Sequence, residues 1–458
     1  MFHEFRAAPV RRHFRPAGAG VAAGLGALLA LATLAPAACA PTEAGPGDFR
    51  SMATTNSDFT QNPVAVGNQP VALAAADYDG VNGVDLAVAN QLGQSVTLLT
   101  NDGTGNFSRR TLTVSGEPTG VFFAGMGQTA TGSLPDLVVL SIDQVAATHA
   151  VSLFPNTAGA LANTPATYAL GSVAEQATPL AMHTGGKSDL VVTLGGLLQV
   201  AVLTYTGAGA FTLAATALAS APTAFASGDF NRDGNLDLAV LLPATNNALI
   251  LLGDGNGGLV PGVTLGTGVN PHRIIAQDLD GDGIPDLAIS NAGDNTVSLL
   301  KGDGLGGFSP YTGANIGVAP APDVILAAPF ITGASSRTLV ITNRNTSVIT
   351  TFAYGPGGWV QGQLSTTLDP FALAAGRFQK GGNLDFVVAE KVQRGLGFFY
   401  GDGQGGFARS QIGFDSLPTQ PTPLCLSPAA QCAARTTQDL VVLQPNRDRI
   451  VLLRNVNP

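Results

Sequence analysis

Two nine-residue stretches concentrate oxygen-bearing side chains at alternate positions: DFNRDGNLD at residues 229–237 and DLDGDGIPD at residues 278–286. Positions one, three, five and nine carry Asp229, Asn231, Asp233 and Asp237 in the first, and Asp278, Asp280, Asp282 and Asp286 in the second. Calcium takes six to eight oxygen ligands at ~2.4 Å in a flexible geometry, and alternating acids on a tight loop supply them. The seventh position adds a backbone carbonyl, here from Asn235 and Ile284, while Gly234 and Gly283 permit the sharp turn. Carboxylates crowded in this way repel one another unless a cation lies among them. An EF-hand is excluded, because its twelfth position needs a bidentate Glu and these loops have Val240 and Ile289 there.

Each loop ends in an Asp-Leu-x-Val-like strand, and that strand recurs along the chain. It begins at Asp85, Asp136, Asp189, Asp237, Asp286, Thr338, Asp385 and Asp439, at steps of 47 to 54 residues. A period near 50 indicates a propeller or solenoid array. In the first unit, PVALAAADY, DLAVANQ, SVTLLTND and FSRRTLTV are four segments of strand length, rich in Val, Leu and Thr and separated by turn residues. Four strands make a propeller blade. The third and fourth are joined by a glycine-rich turn, NDGTGNF, which returns as GDGNGGL, GDGLGGF and GDGQGGF. No helix signal or GK[ST] follows it, so it reads as a hairpin and not as a phosphate loop.

The last unit offers only three strands, TPLCLSP, DLVVLQP and RIVLLRN. FTQNPVAV, residues 59–66, matches a fourth: Phe59 precedes Pro70 by 11 residues, as Phe107 precedes Pro118 and Trp359 precedes Pro370. An N-terminal strand that completes the C-terminal blade closes the ring and protects the sheet edges. The expected fold is therefore an all-β, eight-bladed propeller over residues 58–458, with seven blades as the alternative if the second or sixth repeat is irregular.

With these features in place, the chain resembles the FG-GAP/VCBS repeat family. Its propellers include the integrin α-subunit head, and its DxDxDGxxD loops bind calcium between the first two strands of a blade. The resemblance covers residues 58–458 and is sharpest in repeats four and five. It implies two bound calcium ions and a binding or adhesion role. A third ion would use Asp77, Asp79 and Asp85 of DYDGVNGVD in repeat one, where Val81 takes the fifth position. Repeat three has His183 at the third position, read as a solvated loop residue rather than a metal ligand. Repeat seven, RFQKGGNLD, places Arg377 and Lys380 to supply positive charge near Asp385, and repeat eight inserts Cys425 and Cys432 in the same stretch.

The formal charge is −9; the N-terminal segment contributes four arginines against Glu4, so the remainder carries −12. Such an acidic body lacks the footprint that phosphate backbones require, and nucleic acid is not an expected partner. Residues 1–39 read as an export signal, with a basic start and an Ala, Gly and Leu-rich run from Pro16. An uncleaved membrane anchor is the alternative. Arg11-Arg12-His13-Phe14 resembles a twin-arginine core with Val10 in place of Ser or Thr, which leaves both export routes open. Cys39 ends the run in PAAC, which resembles a lipoprotein box with Pro36 where Leu is usual; plain cleavage near Ala37 or Ala40 is the alternative. Residues 40–57 form a Pro/Gly/Ala/Thr-rich tether. The expected location is the periplasm, the outer membrane as a lipoprotein, or the cell surface, with secretion if Cys39 is not lipidated. Cys425 and Cys432 then form an even pair suited to a disulfide.

Beyond the signal, His149, His183 and His272 are scattered through repeats two, three and five, without HxxxH or GxSxG context. The chain is accordingly not expected to be an enzyme. A carbohydrate-active site built from acids of several blades is the alternative. The expected partner is a protein or a surface glycan. One Trp and six Tyr disfavour the glycan, since Trp359 is accounted for as a hairpin anchor.

Overall fold

The computed structural model describes residues 58–126, 134–427, 432 and 435–456. Residues 1–39, read above as an export signal, with Cys39, and the expected tether at residues 40–57 lie outside them. Eight four-stranded antiparallel sheets succeed one another along the chain, so the eight-bladed reading holds. Repeats two and six form complete blades like the others, because their central strands Asp136–Asp143 and Thr338–Asn343 keep the apolar character that a blade interior demands. The second strand of every blade lies between neighbouring sheets and is buried on both faces; Asp85–Asn90, Asp237–Leu242 and Asp286–Asn291 are buried throughout. Such strands read as continuous apolar runs. Outermost strands alternate instead, as Ala210–Ala217 does with its largely exposed residues.

Closure follows the expected register. Phe59–Ala65 pairs antiparallel with Arg449–Asn455, from Phe59 opposite Asn455 to Ala65 opposite Arg449. Phe59 anchors the join by stacking on Phe398 at 4.9 Å and meeting Phe378 edge-on at 6.2 Å.

The meander fixes two rims. One carries the loops between first and second strands, together with the hairpins between third and fourth. The other carries the connections between second and third strands and between blades. Hairpins of blades five and seven dock on the first loop of the preceding blade: the Gly306 amide donates to Phe230 O at 2.9 Å and the Thr332 amide to Gly403 O at 2.8 Å. In the hairpin of blade five, Gly304 and Gly306 hold φ of +71° and +86°, which side-chain-bearing residues rarely adopt. Among the described residues no helix is long and apolar enough to cross a membrane.

Candidate metal centres

The aspartate that opens the second strand is first of all a structural clip. Asp85, Asp237, Asp286, Asp385 and Asp439 are all buried. One carboxylate oxygen of each accepts an amide of the third strand or its end: Asn101 and Gly253 at 2.8 Å, Gly302, Gly401 and Asn455 at 2.9 Å. The other accepts an amide of the first loop, from Tyr78, Phe230, Leu279, Phe378 and Leu426 at 2.7 to 3.1 Å. This ties three segments together with charge-assisted bonds. It also explains why the residue persists in repeats seven and eight, whose loops lack the other acids. Sequence reasoning assigned it to calcium in repeats one, four and five and to basic partners in repeat seven; its recurrence without acidic neighbours was the available signal for a structural role.

Burial raises the pKa of Asp85 to about 6, with Asp79 and Asp77 pushing the same way; burial also raises Asp237, Asp286 and Asp385. In repeat one, Asp77, Asp79 and Asp85 bring ligand oxygens within 4.8 Å of one another, and in repeat five Asp278, Asp280 and Asp286 do the same. These are positions one, three and nine. The fifth position stands outside both groups. Asp282 instead accepts the Ile284 amide at 2.8 Å, and Asp233 accepts the Asn235 amide at 2.8 Å. Val81 at this position in repeat one therefore does not prevent convergence.

In repeat four, Asp229 accepts the Asp233 and Gly234 amides at 3.1 and 3.0 Å, and the Asn231 side-chain amide donates to Asp233 at 2.9 Å. The third position there is a neutral amide, which lowers the charge the loop can offer a cation.

Repeat five contains a residue that its loop motif did not reveal. Lys301, on the third strand of that blade, places its ammonium against Asp280 and 2.8 Å from Asp282. Those carboxylates push the Lys301 pKa upward. Tyr311 donates its hydroxyl to Asp286 at 2.8 Å. A protein cation thus lies against two carboxylates of the loop and offsets part of its negative charge. Among the described residues no ion pair reaches Asp77, Asp79 or Asp85, so the three acids of repeat one converge without such a partner.

The other loops are braced in different ways. In repeat seven neither Arg377 nor Lys380 braces Asp385. Arg377 Nε donates to Gly382 O at 3.0 Å and Lys380 is exposed, while the Gln379 side-chain amide donates to Asp385 at 3.2 Å. A short amide reaches the buried carboxylate where the longer cations turn to solvent. In repeat eight Cys425 and Cys432 are bonded, and Arg435 adds a two-pronged pair to Asp439 at 3.1 and 3.2 Å. In repeat three His183 is not simply solvated; its Nδ1 lies 2.8 Å from Asp189. Asn231, Asp233, Asn235, Asp282 and Ile284 remain around their loops.

His149 is buried, and burial depresses its pKa to about 4. Its Nε2 lies 3.3 Å from the Thr119 hydroxyl, but Nδ1 accepts the Ala174 amide at 2.8 Å. The proton of the neutral ring therefore sits on Nε2, and this histidine cannot act as a base toward Thr119.

Sheet order and closure define an eight-bladed β-propeller. Residues 229–289, which span the carboxylate loops of blades four and five, match the FG-GAP-like repeat family. Among solved structures, BBS1N in complex with ARL6DN is 14% identical, covering 87% of this chain and 96% of that one with a TM-score of 0.49. A Lactobacillus plantarum protein is 15% identical, covering 77% and 96% with a TM-score of 0.47. A periplasmic gluconolactonase of Pseudomonas aeruginosa, PpgL, is 15% identical, covering 77% and 97% with a TM-score of 0.45. At these values the likenesses carry no argument about activity. No curated protein matches the chain.

Proposed function

We propose that this propeller is an exported binding or adhesion module of the cell envelope, stabilised by calcium in its first loops, and that it works by contact rather than catalysis. The observation that carries the metal part is the convergence of Asp77, Asp79 and Asp85 within 4.8 Å, with the innermost acid pushed up to about 6 by burial and by its two neighbours. When bound, calcium supplies the positive charge that makes this packing favourable. Asp79 and Asp77 would hold it from the loop side and Asp85 from the strand side. Repeat five has the same three positions, with Lys301 as a competing cation, and repeat four offers Asp229, Asn231 and Asp237. The binding role rests on the two distinct rims a closed ring presents.

Calorimetric titration of metal-free protein tests the metal reading, with the strongest calcium site expected to disappear in Asp79→Ala. Retention of that site in the variant, or no calcium binding by the parent chain, would overturn it.

A further inference from the structure

The chain holds two Asn-Gly pairs, Asn82–Gly83 in the carboxylate loop of repeat one and Asn256–Gly257 in the hairpin of blade four. In such a pair the glycine amide can reach the asparagine side chain, because no Cβ stands in its way. Whether it does depends on what else holds that amide. The Gly257 amide donates to Met182 O on the preceding blade at 3.2 Å, and Asn256 is fixed to Asp254 through its backbone amide at 2.7 Å and its side-chain amide at 3.3 Å. Glycine amides of the carboxylate loops are held too. Gly80 donates to Asp77 at 2.7 Å, Gly234 to Asp229 at 3.0 Å, and Gly281 and Gly283 to Asp278 at 2.7 and 2.8 Å. Gly83 is the exception. Among the described residues no hydrogen bond engages its amide, although the residue is buried. An enclosed amide without a partner is costly.

Asn82 itself is exposed, and no hydrogen bond among the described residues engages its side chain. Over that side chain lies Gly103 of the same blade's hairpin, where a Cβ would come within 3.2 Å of Asn82 Cβ, so its neighbour there is bare backbone. Asn82 and Gly83 hold φ of +65° and +110°, conformations that residues with a Cβ rarely adopt. The pair therefore combines a free nucleophile, a free carboxamide reached by water, and a backbone held in an unfavourable shape. It sits between Asp79 and Asp85, two of the three acids that converge in this loop.

We propose that Asn82 is a self-modifying site: the Gly83 amide nitrogen attacks Asn82 Cγ, and the loop of repeat one is converted with time into a form that holds calcium less well. The nitrogen loses its proton as the N–Cγ bond forms, the Cγ–Nδ2 bond breaks, and Nδ2 leaves as ammonia. Water then opens the resulting succinimide. Attack at the main-chain carbonyl carbon breaks its bond to the Gly83 nitrogen and leaves the chain running through the former side chain, an isoaspartyl link with one additional backbone methylene. Attack at Cγ restores the ordinary peptide with a carboxylate in place of the carboxamide. Neither route needs an oxidant or a reductant. The isoaspartyl form lengthens the loop between Asp79 and Asp85, whose oxygens converge within 4.8 Å together with Asp77, and calcium affinity follows the rigidity of its site. That consequence rests on the calcium reading given above; the ring closure does not.

The test incubates the whole chain with chelator in warm, mildly alkaline buffer and follows the peptides containing Asn82 and Asn256 by mass spectrometry, with isoaspartyl methyl transfer as a second readout. Conversion is expected about tenfold faster at Asn82 than at Asn256, the factor that first breaking a typical hydrogen bond would impose. In Asn82→Gln, whose longer side chain closes its ring less readily, that peptide should stay unmodified. Equal rates at the two sites, or no conversion at Asn82, would overturn the proposal. Calorimetric titration should then show calcium bound at this loop about tenfold more weakly by aged parent than by fresh, with aged Asn82→Gln unchanged. Fresh Asn82→Asp, which adds the charge without the extra methylene, should bind at least as tightly as fresh parent. Converted parent that binds as tightly as fresh would overturn the effect on the loop. No calcium binding by fresh parent would defeat the metal reading alone, and the rates at Asn82 and Asn256 would still decide the modification.

Discussion

Replacing Lys301 by methionine would remove the ammonium from the loop of repeat five while keeping an unbranched side chain in its path. Two ion pairs are lost, to Asp280 and to Asp282, and the lysine side chain is 39% exposed. Exposed pairs contribute ~0.2–1 kcal/mol each, so the loss is roughly 0.5–2 kcal/mol after allowance for solvent screening. Without metal, the variant should be destabilised by that amount, because Asp278, Asp280, Asp282 and Asp286 are left uncompensated. With calcium the sign reverses. The ion no longer has to displace an internal competitor, and affinity at this loop should tighten by about 2- to 30-fold, since ~1.4 kcal/mol is a factor of ten. Calorimetric titration in an Asp79→Ala background removes the repeat-one site from the isotherm, and thermal melts with chelator and with calcium give the stability arm. Unchanged calcium affinity together with an unchanged chelator melt would refute the role assigned to Lys301. A stability loss without tighter calcium binding would show that the ammonium braces the loop but does not compete for it.

His149, with a pKa of about 4 against 6.5 unfolded, contributes stability that is full above pH 6.5 and is lost as pH falls toward 4, by about 3 kcal/mol. In His149→Asn, which keeps an acceptor near the Ala174 amide, acid unfolding curves should lose that component; an unchanged curve would count against it. Phe59→Ala strips the closing strand of its contacts with Phe398 and Phe378 and should cost about 3–5 kcal/mol in denaturant melts. A cost under about 1 kcal/mol would mean the join contributes little. Cys39→Ala should move the protein from the membrane fraction to the soluble one, and identical fractionation of variant and parent would dismiss lipidation.

The blades were legible because their signals are local. A strand buried on both faces must be apolar throughout, and turns must hold Gly and Asp, so a period near 50 survives even where Thr338 replaces the aspartate. Closure was legible from one spacing, Phe59 to Pro70. The partners of the buried aspartates were not. Lys301 lies 15 residues beyond Asp286, on another strand, and reaches the loop only through the register of that blade. Gln379 does what Arg377 and Lys380 were expected to do, because reach into a buried pocket, rather than charge, decides which side chain arrives. The fifth loop position is a ligand candidate by spacing, and its amide partners emerge only from the turn geometry.

The strand that closes the ring has a consequence for how the molecule is made. Phe59 pairs with Asn455, so the first strand synthesised waits for the last before it acquires a neighbour. Until the final blade leaves the ribosome, residues 59–65 and the open flank of the growing array are bare edges. Such long-range pairing is slow to form and open to wrong partners while it waits. A chain truncated before residue 449 therefore leaves residues 59–65 without their partner strand and presents an unfinished edge.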